Sequence, residues 1–116
     1  MSDYKRGDIW LANAAKHTVG GQEHKRPVLI ISNNKYNDSS NEVICLHITT
    51  DTKHEYGIPL DYKKDFEMNK LVDPSAVRFD AVGRYSISIF EKKLGKVKEE
   101  KILKIIESLN SLLRES

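Results

Sequence analysis

The C-terminal end of the chain carries a hydrophobic pattern found nowhere else in the sequence. Six apolar residues recur there at intervals of three and four, which places them on one face of a helix: Ile102, Ile105, Ile106, Leu109, Leu112 and Leu113. Charged residues such as Lys104 and Glu107 occupy positions between them, as a solvent-facing surface requires. The spacing predicts an amphipathic helix over about residues 98–114.

The preceding residues are rich in β-forming side chains and are punctuated by turn residues. Candidate strands cover residues 7–12, 28–31, 43–49, 56–60, 76–79 and 86–97. Residues 28–31 are apolar at consecutive positions, which predicts a central buried strand, and Pro59 predicts an edge strand. Five or six short strands followed by one helix predict a mainly β fold, a small and partly open barrel capped by the helix.

Three segments predict irregular structure. Residues 13–25 are small, polar and glycine-containing, which indicates a long loop and a candidate binding lid. Residues 32–34 and 37–41 are rich in Ser, Asn and Asp, which indicates turns. Residues 61–69 are mixed and charged and predict no element.

Composition limits the classes of protein to which the chain can belong. Its 116 residues, 39% of them hydrophobic, suit one domain over residues 1–116. The formal net charge of +2 is far below that of a protein that coats nucleic acid by bulk electrostatics, so any contact with RNA or DNA must be local. The lone Cys45 predicts a reducing, cytoplasmic setting. The sequence contains no spacing of Cys and His residues typical of a metal site, so no metal or cofactor is predicted. No apolar run approaches the roughly 20 residues of a membrane span, and the N-terminus predicts no signal peptide.

Five segments, in this order, carry a resemblance to a known family: Arg6-Gly7-Asp8-Ile9-Trp10, Lys25-Arg26-Pro27-Val28-Leu29-Ile30-Ile31-Ser32-Asn33, Ile48-Thr49-Thr50, Val77-Arg78-Phe79-Asp80 and Leu94-Gly95-Lys96-Val97. The chain resembles the MazF/PemK family of toxin endoribonucleases from Lys5 to about Leu113. The resemblance implies an SH3-like small barrel of the PemK/CcdB type, a homodimer, metal-independent cleavage of single-stranded RNA at short sequences and inhibition by an antitoxin. It also implies that Arg26 and Thr49 form the catalytic pair.

The chemistry of these residues suits RNA cleavage. The ribose 2′-hydroxyl is a built-in nucleophile, so a protein can cleave RNA by aligning that oxygen and stabilising the charged phosphorane, which leaves 2′,3′-cyclic phosphate and 5′-hydroxyl ends. DNA lacks this hydroxyl and escapes cleavage. Arg26 remains protonated and can bind phosphate oxygens with two donors, and the Thr49 hydroxyl can donate to another. The general base stays open among Glu23, His24 and water.

Other residues are candidates for RNA contact. Trp10 can stack on an unpaired base. Lys25, Arg78 and Arg84 can contact phosphates, although Asp80 lies between the two arginines and can pair with either. The remaining histidines receive no role: His47 is interpreted as a strand side chain on a polar face, and His17 and His54 are interpreted as bystanders.

Two rival functions differ in class from a ribonuclease. A CcdB-like toxin traps DNA gyrase without cutting nucleic acid, and such a binder has no need of a phosphate-stabilising pair at positions 26 and 49. An inactive barrel-type interaction module would not arrest growth on expression, whereas an active ribonuclease toxin would.

Overall fold

The computed structural model describes residues 3–13, 25–71 and 73–114. Within these ranges the chain forms seven strands, two α-helices and one 3₁₀ turn. The strands are β1 Asp8–Asn13, β2 Lys25–Ile30, β3 Glu42–Thr49, β4 Gly57–Pro59, β5 Phe66–Asn69, β6 Ala76–Ser86 and β7 Phe90–Val97. The helices are α1 Asn34–Ser39 and α2 Glu99–Leu113, and the 3₁₀ turn covers Ile87–Ile89. No helix in the described ranges has the length and apolar character of a membrane span.

The seven described strands form one antiparallel sheet in the order β4-β6-β3-β2-β1-β7-β5. β2 lies in the interior of the sheet and buries Val28, Leu29 and Ile30, as its continuous apolar run predicts. β4, which contains Pro59, lies at one edge, so the absence of a proline N–H disturbs no inner ladder. The predicted mainly β class with a C-terminal helix is confirmed.

The two faces of the sheet bury different side chains. Ile9, Leu29 and Leu46 form part of a core that includes Ile102 and Ile105 of α2. Alternate positions of the same strands contribute to a second cluster on the opposite face, which includes Val28, Ile30 and Cys45. The helix therefore covers one face of the central strands, and the second cluster covers part of the other.

The turns predicted at residues 32–34 and 37–41 are wrong in part, because Asn34–Ser39 forms the helix α1. The Asn33 side chain accepts a hydrogen bond from the Tyr36 N–H at 2.8 Å and caps the helix. Asn37 is buried and donates to the Ser32 carbonyl oxygen at 3.0 Å. Asparagine residues, which favour turns, therefore cap and anchor a short helix at this position.

The strand boundaries differ from the sequence prediction in two further places. β5 forms where no element is predicted, because Phe66 is buried and the strand pairs with β7. β6 continues to Ser86, well past the predicted end at residue 79, and residues 87–89 form the 3₁₀ turn instead of opening the last strand. Both differences arise from tertiary pairing, which local composition does not report.

Gly7 occupies a backbone conformation that glycine alone adopts without strain. Its φ is +94°, and an added Cβ would lie 2.9 Å from the Val97 carbonyl oxygen. We expect Gly7→Ala to lower the free energy of unfolding by about 1–2 kcal/mol, measured by denaturant titration.

Gly57→Ala is the matched control for this substitution. Gly57 is not among the described glycines with positive φ, and its added Cβ comes no closer than 3.3 Å to His54. The loss of stability should therefore be clearly smaller than at Gly7. Equal losses in the two variants would contradict the role assigned to the backbone conformation of Gly7.

Candidate active site

A cleft of about 430 Å³ opens where three neighbouring strands end. β2 contributes Arg26 and Pro27, β3 contributes His47 and Thr49, and β6 contributes Arg78. His47 and Thr49 lie on the side of β3 that carries Cys45, because side chains alternate along a strand. These two side chains therefore enter the cleft from the face of the sheet opposite α2, whereas Ile48, which also lines it, belongs to the core on the α2 side.

The strand register brings Arg26 and Thr49 together. Val28 of β2 pairs with His47 of β3 in an antiparallel ladder. Continuing that register by two residues sets Arg26 opposite Thr49 on the same face, and both residues line the cleft. The resemblance implies both residues, but their proximity depends on strand pairing, which the sequence does not show.

The Thr49 side chain is held by a hydrogen bond from the backbone just beyond the end of β3. Its Oγ1 accepts a hydrogen bond from the Asp51 N–H at 3.1 Å. Accepting this bond uses a lone pair and not the hydroxyl proton, so the side chain can still donate to a phosphate oxygen.

His47 also lines the cleft, although its sequence context predicts only a strand side chain on a polar face. Its Nε2 forms a hydrogen bond with the Tyr85 hydroxyl. Burial lowers the pKa of His47, and the positive charges of Arg26 and Arg78 lower it further. The signal that could have found it is its spacing from Thr49, because two residues on a strand share one face.

Arg78 lines the same cleft and is held by a carboxylate. Its Nε and Nη2 donate to the two carboxylate oxygens of Asp80 at 3.0 and 2.7 Å. The hydrogen bond and charge of Arg78 lower the pKa of Asp80, so the pair stays ionised at neutral pH. Arg78 pairs directly with His47 in the ladder between β6 and β3, so a guanidinium group flanks the imidazole from each neighbouring strand.

The other predicted RNA contacts lie outside the described lining of this cleft. Lys25 forms an ion pair with Glu91 at 3.0 Å. Arg84 forms a bidentate ion pair with Glu42 at 2.6 and 2.7 Å. Trp10 packs in an aromatic cluster, with its ring 4.7 Å from Tyr4 and 5.9 Å from Phe90, centroid to centroid. Their roles in RNA binding stay predictions.

The candidate bases Glu23 and His24 lie outside the described residues, as do residues 14–24 of the predicted loop. The loop boundaries at residues 13 and 25 are wrong, because Asn13 and Lys25 pair with each other as strand residues of β1 and β2. Within the described ranges, no three His, Cys, Asp or Glu side chains cluster in a way that could hold a metal ion. Burial raises the pKa of the Cys45 thiol, so it stays protonated.

A family model described as PemK-like, MazF-like toxin of type II toxin-antitoxin system matches residues 5–113. Among solved structures, an endoribonuclease from a mycobacterial species has a TM-score of 0.75 and 20% identity, over 97% of this chain and 93% of that chain. A mycobacterial endoribonuclease in complex with its cognate antitoxin has a TM-score of 0.72 and 21% identity, over 97% and 95%. The MazE-MazF structure (Form-II) from Deinococcus radiodurans has a TM-score of 0.77 and 18% identity, over 100% of both chains. No curated protein sequence matches the chain. These likenesses confirm the small PemK/CcdB-type fold.

Proposed function

Because the chain belongs to the PemK-like, MazF-like toxins of type II toxin-antitoxin systems, we propose that it is an endoribonuclease that cleaves single-stranded RNA at short sequences. The observation that carries this proposal is the convergence of Arg26, Thr49 and Arg78 on one cleft. Two guanidinium groups and a hydroxyl on one concave surface form a receptor for a phosphodiester. A toxin that only binds another protein has no need of such a receptor.

The reaction uses the nucleophile of the substrate. The 2′-oxygen attacks the adjacent phosphorus in line with the departing 5′-oxygen, and the phosphorane that forms carries an additional negative charge. Arg26 donates to the non-bridging oxygens, and Thr49 donates from the facing strand. The products are a 2′,3′-cyclic phosphate and a 5′-hydroxyl.

Single-stranded RNA is the substrate class that this chemistry favours. An A-form duplex holds each 2′-oxygen away from the in-line position, whereas an unpaired strand can rotate into it. Unpaired bases also expose the edges by which proteins distinguish RNA sequences. Sequence specificity is therefore part of the proposal.

The proposed partner is a cognate antitoxin. The solved complexes of the mycobacterial endoribonuclease with its antitoxin and of MazE with MazF support this proposal. An acidic segment that covers Arg26 would occupy the phosphate receptor and block cleavage. We further propose that the protein acts in the cytoplasm as a single-domain homodimer.

Incubating the purified protein with a long unpaired RNA in EDTA tests the proposal. We expect cleavage at a recurring short sequence, with 2′,3′-cyclic phosphate and 5′-hydroxyl ends identified by end-specific labelling and mass spectrometry. The metal-independent reaction should continue in the chelator, because the ribose supplies the nucleophile and arginine supplies the positive charge.

The control is Arg26→Ala protein purified in parallel, which separates the activity of this chain from a contaminating ribonuclease. Equal cleavage by both preparations would mean that the observed activity does not depend on Arg26, which would contradict its proposed role. Intact RNA with the wild-type protein would overturn the proposed function, and loss of cleavage in EDTA would overturn its metal independence.

A further inference from the structure

We propose that His47 is the general base of the cleavage reaction and that Tyr85 is its positioning residue. This assignment rests on the proposed function, and it goes beyond the pair of Arg26 and Thr49. Its basis is the place of His47 in the lining of the cleft, on the strand between the two that supply the guanidinium groups.

The sheet register places His47 at the centre of the phosphate receptor. On one side it pairs with Val28, two residues from Arg26. On the other side it pairs with Arg78, whose side chain lines the same cleft. Thr49 follows two positions along β3 on the same face. A phosphodiester bound by these groups therefore brings its ribose to the imidazole.

The charges around His47 keep its imidazole neutral. Arg26 faces it from β2 and Arg78 from β6, and both positive charges lower its pKa in addition to the effect of burial. Asp73 lies in the cleft wall, and Asp80 is bound to Arg78 in the bidentate ion pair. A neutral imidazole can accept a proton, whereas an arginine cannot, because it stays protonated at all physiological pH values.

Tyr85 holds the ring through a hydrogen bond to Nε2. Burial raises the pKa of Tyr85, so the hydroxyl remains a phenol. When that hydroxyl accepts the Nε2 proton, the lone pair of the neutral ring lies on Nδ1, which serves as the base. Gly83 makes room for this arrangement, because a Cβ there would come within 2.8 Å of the Tyr85 ring and hydroxyl.

The step balances without a further reactant. The proton of the 2′-hydroxyl passes to His47, the bond between the 2′-oxygen and phosphorus forms, and the bond between phosphorus and the 5′-oxygen breaks. Water protonates the departing 5′-oxygen, and the hydroxide that remains takes the proton that His47 releases. The enzyme returns to its starting state.

The pH dependence of cleavage by the full-length protein tests the assignment. In wild type, kcat/KM should rise with pH along one limb whose midpoint lies below the ordinary histidine pKa, because only the neutral imidazole is active. His47→Gln should lower kcat by about 10²–10⁴-fold, leave KM nearly unchanged and remove that limb. A His47→Gln variant that keeps both the rate and the limb would overturn the proposal.

His54→Gln is the matched control. His54 lies outside the described lining of the cleft, and its Nδ1 accepts from the Tyr56 N–H at 3.1 Å. The rate and the pH profile should both equal those of wild type. If His54→Gln instead removed the acid limb, the titrating group would be His54 and the assignment of His47 as the base would be overturned.

Tyr85→Phe separates positioning from packing. The ring remains but the hydroxyl is lost, so kcat should fall at least tenfold while KM and the thermal unfolding midpoint stay close to wild type. An unchanged kcat would overturn the positioning role. The imidazole pKa measured by NMR titration of the wild-type protein gives a test that needs no variant, because a value at or above 6.5 would overturn the neutral base.

Failure of this proposal is distinguishable from failure of the proposed function. If the wild-type protein cleaves RNA and His47→Gln keeps the acid limb, the proposed function stands and the assignment of His47 as the base fails. A wild-type protein that does not cleave RNA loses both.

Discussion

Arg26→Ala is expected to lower kcat/KM for RNA cleavage by about 10²–10³-fold, the cost of removing one preorganised donor to a developing oxyanion. The side chain lies on β2 across from Thr49 and lines the cleft, and it is exposed, so its removal leaves no cavity in either core. Cleavage of a labelled oligonucleotide and thermal unfolding of the same preparation measure the two effects. Unchanged cleavage by a folded variant would contradict the role of Arg26.

Two further substitutions sharpen this prediction. Arg26→Lys keeps the positive charge but loses the planar pair of donors, so its rate should lie between those of wild type and Arg26→Ala. Arg114→Ala removes a guanidinium group just beyond the end of α2, the helix on the other face of the sheet, and should cleave as wild type does. A comparable loss in Arg114→Ala would indicate that overall positive charge, and not the position of Arg26, drives the reaction.

Removing Arg26 should also change the pH profile. Its positive charge is one of the causes that lower the pKa of His47. Without that charge the pKa rises, and the acid limb of the residual activity in Arg26→Ala should move to higher pH. The direction of this shift tests whether Arg26 and His47 act in one cleft, because two separate sites would titrate independently.

The sequence predicted the parts of this protein that depend on local pattern. The periodicity of Ile102, Ile105 and Leu109 predicted α2 within a residue at each end. The apolar run of β2 predicted a buried inner strand. These elements can be predicted from local sequence because burial of one face, or of both faces, requires apolar side chains at fixed positions along the element.

The parts that escaped prediction depend on which strands pair. Glu42 and Arg84 are 42 residues apart, and Lys25 and Glu91 are 66 apart, yet each pair forms an ion pair across the fold. The sequence offers Asp80 as a neighbouring carboxylate for Arg84 and none for Lys25, but in the structure Asp80 binds Arg78, and Arg84 and Lys25 bind Glu42 and Glu91. The same limit applies to His47, whose significance arises from its register with Arg78 and with the strand of Arg26.

Substituting the single ribose on the 5′ side of the cut with 2′-deoxyribose is expected to stop cleavage, with a rate loss of at least about 10⁵-fold. This figure follows from the effective molarity of a well-aligned intramolecular nucleophile, which water in the cleft cannot replace. The measurement compares two oligonucleotides of identical sequence, all-ribose and singly deoxy-substituted, and quantifies cleavage at the mapped bond. A second control carries the 2′-deoxyribose on the 3′ side of the cut and should be cleaved at a rate close to that of all-ribose RNA.

The deoxy-substituted oligonucleotide should still bind, because the contacts proposed for Arg26, Thr49 and Arg78 are to phosphate oxygens and not to the missing hydroxyl. It should therefore compete with all-ribose RNA and inhibit its cleavage at concentrations near the KM of the parent substrate. Loss of cleavage together with retained inhibition separates the nucleophile from the binding groups. Cleavage of the substituted bond at a comparable rate would mean that water or a protein side chain attacks phosphorus, in which case His47 would have no 2′-hydroxyl proton to accept.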